Sequence, residues 1–248
     1  GPPIGEDGLR QVLENATQSS AHTALDKVCQ GFVTLRGGHR IGLCGTVVKK
    51  DGRIVTLREL SSLSIRVAKP ITGLAGPLLR SLTEDGRFLS TLILAPPGAG
   101  KTTLLRDLVR SLSDGEAGTP LRVSVADERG ELAAMWNGVP QFDLGRQTDV
   151  MEGCPKSTGL MMLLRGMNPQ VLAADEITAP RDAEALEEAA NCGVALVCTA
   201  HGAGLEDLRR RPLYRRLLDR GLFGRVVAIR LEEGVRRYAV TALEDRPC

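Results

Sequence analysis

The 248 residues are 42% apolar and 25% charged, enough apolar mass for one large core, or for a core plus a smaller domain. A net charge of +2 is too small to argue for nucleic acid by itself. No signal-peptide pattern and no apolar run of about 18 residues is present, so the chain is expected to be soluble, or held at a membrane only through a partner or a surface. None of the six cysteines, Cys29, Cys44, Cys154, Cys192, Cys198 and Cys248, forms a Cys-x-x-Cys pair, which argues against structural zinc and for reduced thiols in an intracellular protein. Gly1-Pro2 is open to reading as a residual cloning scar, which would put the natural start further upstream.

Residues 1–30 read as helical: Leu9, Val12, Leu13 and Ala16, then Ala21, Leu25 and Val28, recur at helical spacing before Gly31. Over 31–68 the character changes. Short β-rich runs at 32–35, 39–48 and 53–57 are separated by Gly37-Gly38 and Lys50-Asp51-Gly52, which are hairpin signals, and 64–68 alternates like one more strand. Pro70 and Gly73 punctuate the end of this small α+β domain, and a helix from about 74 to 82 leads onward. From residue 87 strands at 88–94, 121–126, 171–174 and 194–199 alternate with helices at 102–112, 158–167 and 181–191. Continuous apolar strands alternating with helices indicate a parallel sheet covered on both faces. The stretches 226–231 and 235–243, joined by Glu232-Glu233-Gly234, read as a terminal hairpin.

Leu92-Ile93-Leu94 runs into Ala95-Pro96-Pro97-Gly98-Ala99-Gly100-Lys101-Thr102, and a helix follows. This is the pattern G-x-x-x-x-G-K-[ST], with Ala95 in place of the first glycine. In that strand–loop–helix setting Pro97, Gly98, Ala99, Gly100, Lys101, Thr102 and Thr103 are expected to cradle phosphate through inward N–H groups and a helix N-terminus. Lys101 would reach the β- and γ-phosphates, and the Thr102 hydroxyl would hold Mg²⁺. The strand 171–174 ends in Asp175-Glu176. Asp175 fits a second Mg²⁺ ligand, direct or through water, and Glu176 is placed to polarise an attacking water. Asp127-Glu128-Arg129 ends another strand, so Asp127, Glu128 and Asp175 are expected to converge on one crevice. Arg129 has two readings, a phosphate contact or a pairing with Glu128 or Glu131. Thr199-Ala200-His201-Gly202 ends a fourth strand, where His201 would sense the γ-phosphate or hold the water; a plain turn histidine is the alternative.

Together these motifs resemble the secretion-type ATPases, the hexameric motors of type II and type IV secretion and pilus assembly. The resemblance is carried by the acidic box Asp127-Glu128-Arg129, by Leu164-Arg165-Gly166-Met167-Asn168-Pro169, by Glu176 with the acidic helix after it, and by Thr199-Ala200-His201-Gly202. A narrower resemblance, to sporulation ATPases within that superfamily, covers about 25–243. It rests on Gly37-Gly38-His39-Arg40, Ser61-Ser62-Leu63-Ser64-Ile65-Arg66, Gly138-Val139-Pro140-Gln141, Thr148-Asp149-Val150, Cys154-Pro155-Lys156 and Met161-Met162.

The resemblance implies an α/β fold: a RecA-like P-loop NTPase core over 73–248 with a mainly parallel sheet, preceded by a small α+β N-terminal domain over 1–72. It further implies an ATP- and Mg²⁺-dependent homo-oligomer, in a hexameric ring, in the mother cell of a spore-forming bacterium. Its partners would be membrane proteins of a channel complex reaching the forespore. It would be cytoplasmic, or peripheral at the inner face of a membrane through those partners. The catalytic set is then Glu176, Lys101, Glu128, His201 and Arg66, the last completing the site across the ring; Arg40, Arg58 and Arg146 are further arginine candidates. The rival is a RecA- or helicase-like ATPase stimulated by nucleic acid, supported by Arg209, Arg210, Arg211, Arg215, Arg216, Arg220 and Arg225. With aromatic residues at 3%, stacking platforms are missing, and no nucleic-acid partner is expected. A non-hydrolysing scaffold is disfavoured by complete Lys101, Thr102, Asp175 and Glu176. An ABC-type subunit is disfavoured by the lack of an L-S-G-G-Q-like signature, and a small-molecule kinase by Glu176.

Overall fold

The computed structural model describes residues 4–17 and 31–243. The helical repeat at 21–28, Cys29, Cys248 and Gly1-Pro2 lie outside them. The chain divides into two compact units, Gly1–Pro70 with Ala134–Phe142, and Ile71–Ala133 with Asp143–Cys248.

In the first unit α1 (Glu6–Thr17) covers an antiparallel sheet of β1 (Phe32–Thr34), β2 (Arg40–Lys50) and β3 (Arg53–Arg66), ordered β1-β2-β3. Leu13 and Ala16 of the helix pack on Val33, Ile41 and Leu43. The strands expected at 53–57 and 64–68 are one strand of 14 residues. An irregularity between Cys44 and Thr46 on β2 and Glu59 at φ 50° mark a bulge that lets the strand bend and continue. The segment from the middle of the chain joins this unit at Gln141, whose Oε1 accepts the Gly37 N–H at 2.7 Å.

The second unit begins with α2 (Gly76–Leu82) and the short hairpin β4 (Thr83–Glu84) and β5 (Arg87–Phe88). The run expected at 88–94 breaks here: only Thr91–Ala95 forms the core strand β6. There follow α3 (Lys101–Asp114), β7 (Val123–Asp127), β8 (Thr148–Glu152), α4 (Lys156–Met167), β9 (Val171–Ala174), α5 (Pro180–Asn191), β10 (Ala195–His201), α6 (Leu205–Arg210), α7 (Pro212–Asp219), β11 (Arg225–Glu232) and β12 (Val235–Ala242). The seven strands are ordered β12-β11-β6-β10-β9-β7-β8. All neighbours are parallel except the β11–β12 hairpin.

Every residue of β6, β7 and β9 is buried, because helices cover both faces. Leu92, Leu94, Leu172, Leu196 and Cys198 pack with α4, α5, α6 and α7. The helix α3 buries Leu104, Leu105, Leu108, Val109 and Leu112 along β6, β7, β8 and β10. Each such leucine contributes about 1.5–3 kcal/mol by leaving water. The parallel register aligns His201 with Ala95, Cys198 with Ala174, and Ala126 with Ala174. The ends of β6, β7, β9 and β10 therefore open on one edge of the sheet. Among the described residues no helix is long and apolar enough to cross a membrane.

Candidate active site

The loop between β6 and α3 turns at Gly98 (φ 72°) and Gly100 (φ 104°), left-handed conformations that a side chain would strain. A β-carbon on Gly100 would stand 3.0 Å from Nε of Arg236. Pro97 and Gly98 are exposed, Ala99 and Gly100 half-buried, and Lys101, Thr102 and Thr103 follow half-buried as the first turn of α3. The Lys101 ammonium donates to the carbonyls of Ala95 (3.1 Å) and Pro96 (3.2 Å) and lies 3.2 Å from Nδ1 of His201. Burial pulls the Lys101 pKa below the usual lysine value, against the opposing pull of Asp175 and Glu176.

Asp175 joins the loop to the neighbouring strands. Its Oδ2 accepts the Thr102 hydroxyl at 2.6 Å, and its Oδ1 accepts the Thr199 hydroxyl at 2.5 Å. The same Thr199 oxygen accepts the Glu176 N–H at 2.8 Å. Thr199 is fully buried, so the hydroxyl shared by the two bonds is itself shielded from water. Sequence reasoning gave Thr199 no task of its own; a polar residue ending an apolar strand was the available signal.

Glu176 has φ 45°, and its carboxylate lies 3.5 Å from Arg129. The sequence did not offer Glu176 as a partner for Arg129. Beside it lies a cavity of about 20 Å³, room for about one water molecule, lined by Ala126, Asp127, Glu128, Arg129, Glu131, Lys156, Asp175 and Glu176. Glu128 reaches it and lies 3.7 Å from the Lys156 ammonium.

Asp127, Glu128 and Asp175 line this one cavity, as their strand ends predict, but the Asp127 carboxylate is taken up by its own turn. Its carboxylate accepts the N–H groups of Glu131 (2.9 Å), Leu132 (3.0 Å) and Ala133 (2.8 Å). It closes the turn after β7 and is 3% exposed. Burial raises its pKa more than those three bonds lower it.

Three of the arginine candidates, Arg40, Arg58 and Arg66, belong to the first unit, and Arg146 belongs to the second. Arg66 ends β3 in the first unit, paired in register with Arg40. Arg40 stacks 3.6 Å over the Phe32 ring, and Arg58 pairs in register with Thr46. Arg146, in the second unit, pairs with Asp114 at 3.4 Å. Two basic residues to which the sequence assigned no role at the site touch its backbone. Arg236 of β12 donates to the Ala99 carbonyl at 2.9 Å, and Lys156 donates to the Glu176 carbonyl at 2.6 Å. Backbone carbonyls leave no pattern in a sequence, which is why neither was legible.

The chain's kinship agrees with this geometry. The family model described as "Sporulation stage III, protein AA" matches residues 3–243. The chain belongs to that family. It is 41% identical over 224 residues to Stage III sporulation protein AA of Bacillus subtilis (strain 168), covering 90% of this chain and 73% of the relative. Among solved structures, the Legionella pneumophila ATPase DotB matches with a TM-score of 0.59 at 14% identity, over 99% of this chain and 71% of its own. The pilus retraction motor PilT, solved with bound ADP, matches with a TM-score of 0.58 at 16% identity, over 93% and 68%. At such identities the likeness shows the fold: this member of the sporulation stage III protein AA family has the RecA-like core of the secretion ATPases, carrying a small antiparallel sheet in its N-terminal region.

Proposed function

We propose that this chain hydrolyses ATP with Mg²⁺ and works as a secretion-type motor, energising a sporulation channel complex between mother cell and forespore. The observation that supports this best is the 2.6 Å bond between the Thr102 hydroxyl and the Asp175 carboxylate. It brings a loop with phosphate-cradling glycines against an acidic strand end. A hydroxyl and a carboxylate oxygen in contact are the hard oxygen donors that Mg²⁺ prefers, so Thr102 and Asp175 fit as its holders. Bound there, Mg²⁺ would neutralise charge on the β- and γ-phosphates.

The remaining work falls to the chain's own groups. Lys101 supplies positive charge to the terminal phosphates. Glu176 orients a water and accepts its proton. His201, within reach of Lys101, reads the γ-phosphate from the end of β10. Glu128 adds a second acid to the water-sized cavity. Arg66 is the residue proposed to reach a neighbour's γ-phosphate in a homo-oligomeric ring, by analogy with charge supplied in trans. The channel's membrane proteins would be the partners, with the chain on the mother-cell side.

Phosphate release by the wild type, Lys101→Ala and Glu176→Gln tests the reading. Lys101→Ala should lose ATP binding and roughly a hundredfold or more in turnover. Glu176→Gln should keep ATP affinity and lose at least about a hundredfold in kcat. Full turnover in Lys101→Ala would end this account.

A further inference from the structure

The roles above leave the most buried cation of the cavity, Lys156, unused. Lys156 opens α4 directly after Pro155, and its side chain is only 7% exposed. A buried ammonium is costly unless it is paired and hydrogen-bonded. This one has two partners. It donates to the carbonyl oxygen of Glu176 at 2.6 Å, and it lies 3.7 Å from the carboxylate of Glu128. Glu176 follows the end of β9 and Glu128 follows the end of β7. One cation therefore ties together the two acid-bearing strand ends that line the cavity.

The Glu176 contact matters because of that residue's backbone. At φ 45° it sits in the left-handed region, which costs a residue with a β-carbon about 1 kcal/mol or more and persists only where its surroundings enforce it. Here both sides of the residue are held: the N–H by the Thr199 hydroxyl at 2.8 Å, the carbonyl by Lys156. Releasing the carbonyl lets Glu176 return to an ordinary conformation, and its β-carbon then points elsewhere. The carboxylate moves with it, away from the cavity.

We infer that Lys156 is the positioning residue for hydrolysis: it holds Glu176 in the left-handed conformation that aims the carboxylate at the attacking water. The inference rests on the ATP-hydrolase reading of the same site. Lys156 touches neither phosphate nor metal in this scheme and acts only through Glu176. Its loss therefore affects the chemical step and spares binding.

The test measures kcat, KM and the affinity for a fluorescent ATP analogue for Lys156→Met, in the wild-type and in the Glu176→Gln backgrounds. In the wild-type background kcat should fall roughly a hundredfold, the cost of a misplacement of about 1 Å, with KM and affinity within about threefold. In the Glu176→Gln background the same substitution should change residual single-turnover rates by no more than about twofold, because residues acting as a unit are not additive. Equal losses in the two backgrounds would overturn the inference, and so would wild-type turnover in Lys156→Met. If Lys156→Met does not fold, Lys156→Gln carries the same comparison; it keeps a polar group but is one bond too short for the carbonyl. Should Lys156→Gln turn over like wild type, or lose ATP binding together with turnover, the inference falls. A wild type without turnover would instead sink the hydrolase reading, so the two failures are told apart.

Discussion

Asp127 and Glu128 are adjacent acids at one strand end, and the fold gives them opposite tasks. Both line the cavity, but Glu128 is free to approach Lys156, whereas the Asp127 carboxylate is held by three N–H groups of its own turn. A sequence shows two carboxylates but not the turn that decides which of them looks out. Asp127 also yields a prediction about pH. Its folded pKa is raised, chiefly by burial. A group raised in this way contributes stability that is fully present below the unfolded carboxyl value and is lost as pH rises through the folded one. Asparagine cannot ionise and sets its amide NH2, a donor, against some of the three N–H groups, so Asp127→Asn should destabilise by about 1–3 kcal/mol. The deficit against wild type should be largest at acid pH, below the unfolded carboxyl value, and shrink as pH rises through the raised folded one. Urea unfolding of both proteins across that range checks it, and a deficit that grows with pH would assign the titration to another group.

At the level of elements, the parallel strands that the sequence announced are the ones buried on both faces. The apolar runs of β6, β7, β9 and β10 could belong only in a covered parallel sheet. The strand β8 was not announced: Thr148, Asp149, Val150, Met151 and Glu152 are all half-buried at the sheet's edge, so composition carries no signal and only pairing with β7 makes the strand. The β11–β12 hairpin was expected, but its bearing on the phosphate loop was not. In the antiparallel register Arg236 stands opposite Leu231, and its guanidinium crosses to the Ala99 carbonyl. The hairpin thereby braces the outer side of the loop whose glycines set its curvature. Arg236→Ala should raise KM for ATP about three- to tenfold, the worth of one partly exposed bond from a charged donor, and change kcat less than KM. Steady-state kinetics decide it; an unchanged KM would show that the loop holds its shape unaided.

Seven arginines between residues 209 and 225 look, as sequence, like a surface for phosphate backbones, and the structure ties most of that charge down. Arg209 pairs with Glu206, Arg211 with Asp207 and the His201 carbonyl, Arg216 and Arg220 both with Glu187, and Arg225 with Glu84. Glu187 is 8% exposed, so its two arginines serve the packing of α5 against α7. These arginine pairs are mostly at the surface, so the nucleic-acid-stimulated ATPase stays the rival to a ring completed by neighbours, the reading proposed above. The mark of a ring is concentration dependence. Turnover per chain should rise with protein concentration and level off where mass measurements show the oligomer, and DNA should not stimulate it. If Arg66 acts on a neighbour's nucleotide, Arg66→Ala and Lys101→Ala, each inactive alone, should regain partial turnover when mixed, because a mixed ring contains sites with an intact loop from one chain and an intact arginine from the next. A mixture as inactive as its parts, with mass measurements proving that mixed rings form, would confine Arg66 to its own chain. Turnover per chain that is constant with dilution would remove the ring from the mechanism altogether.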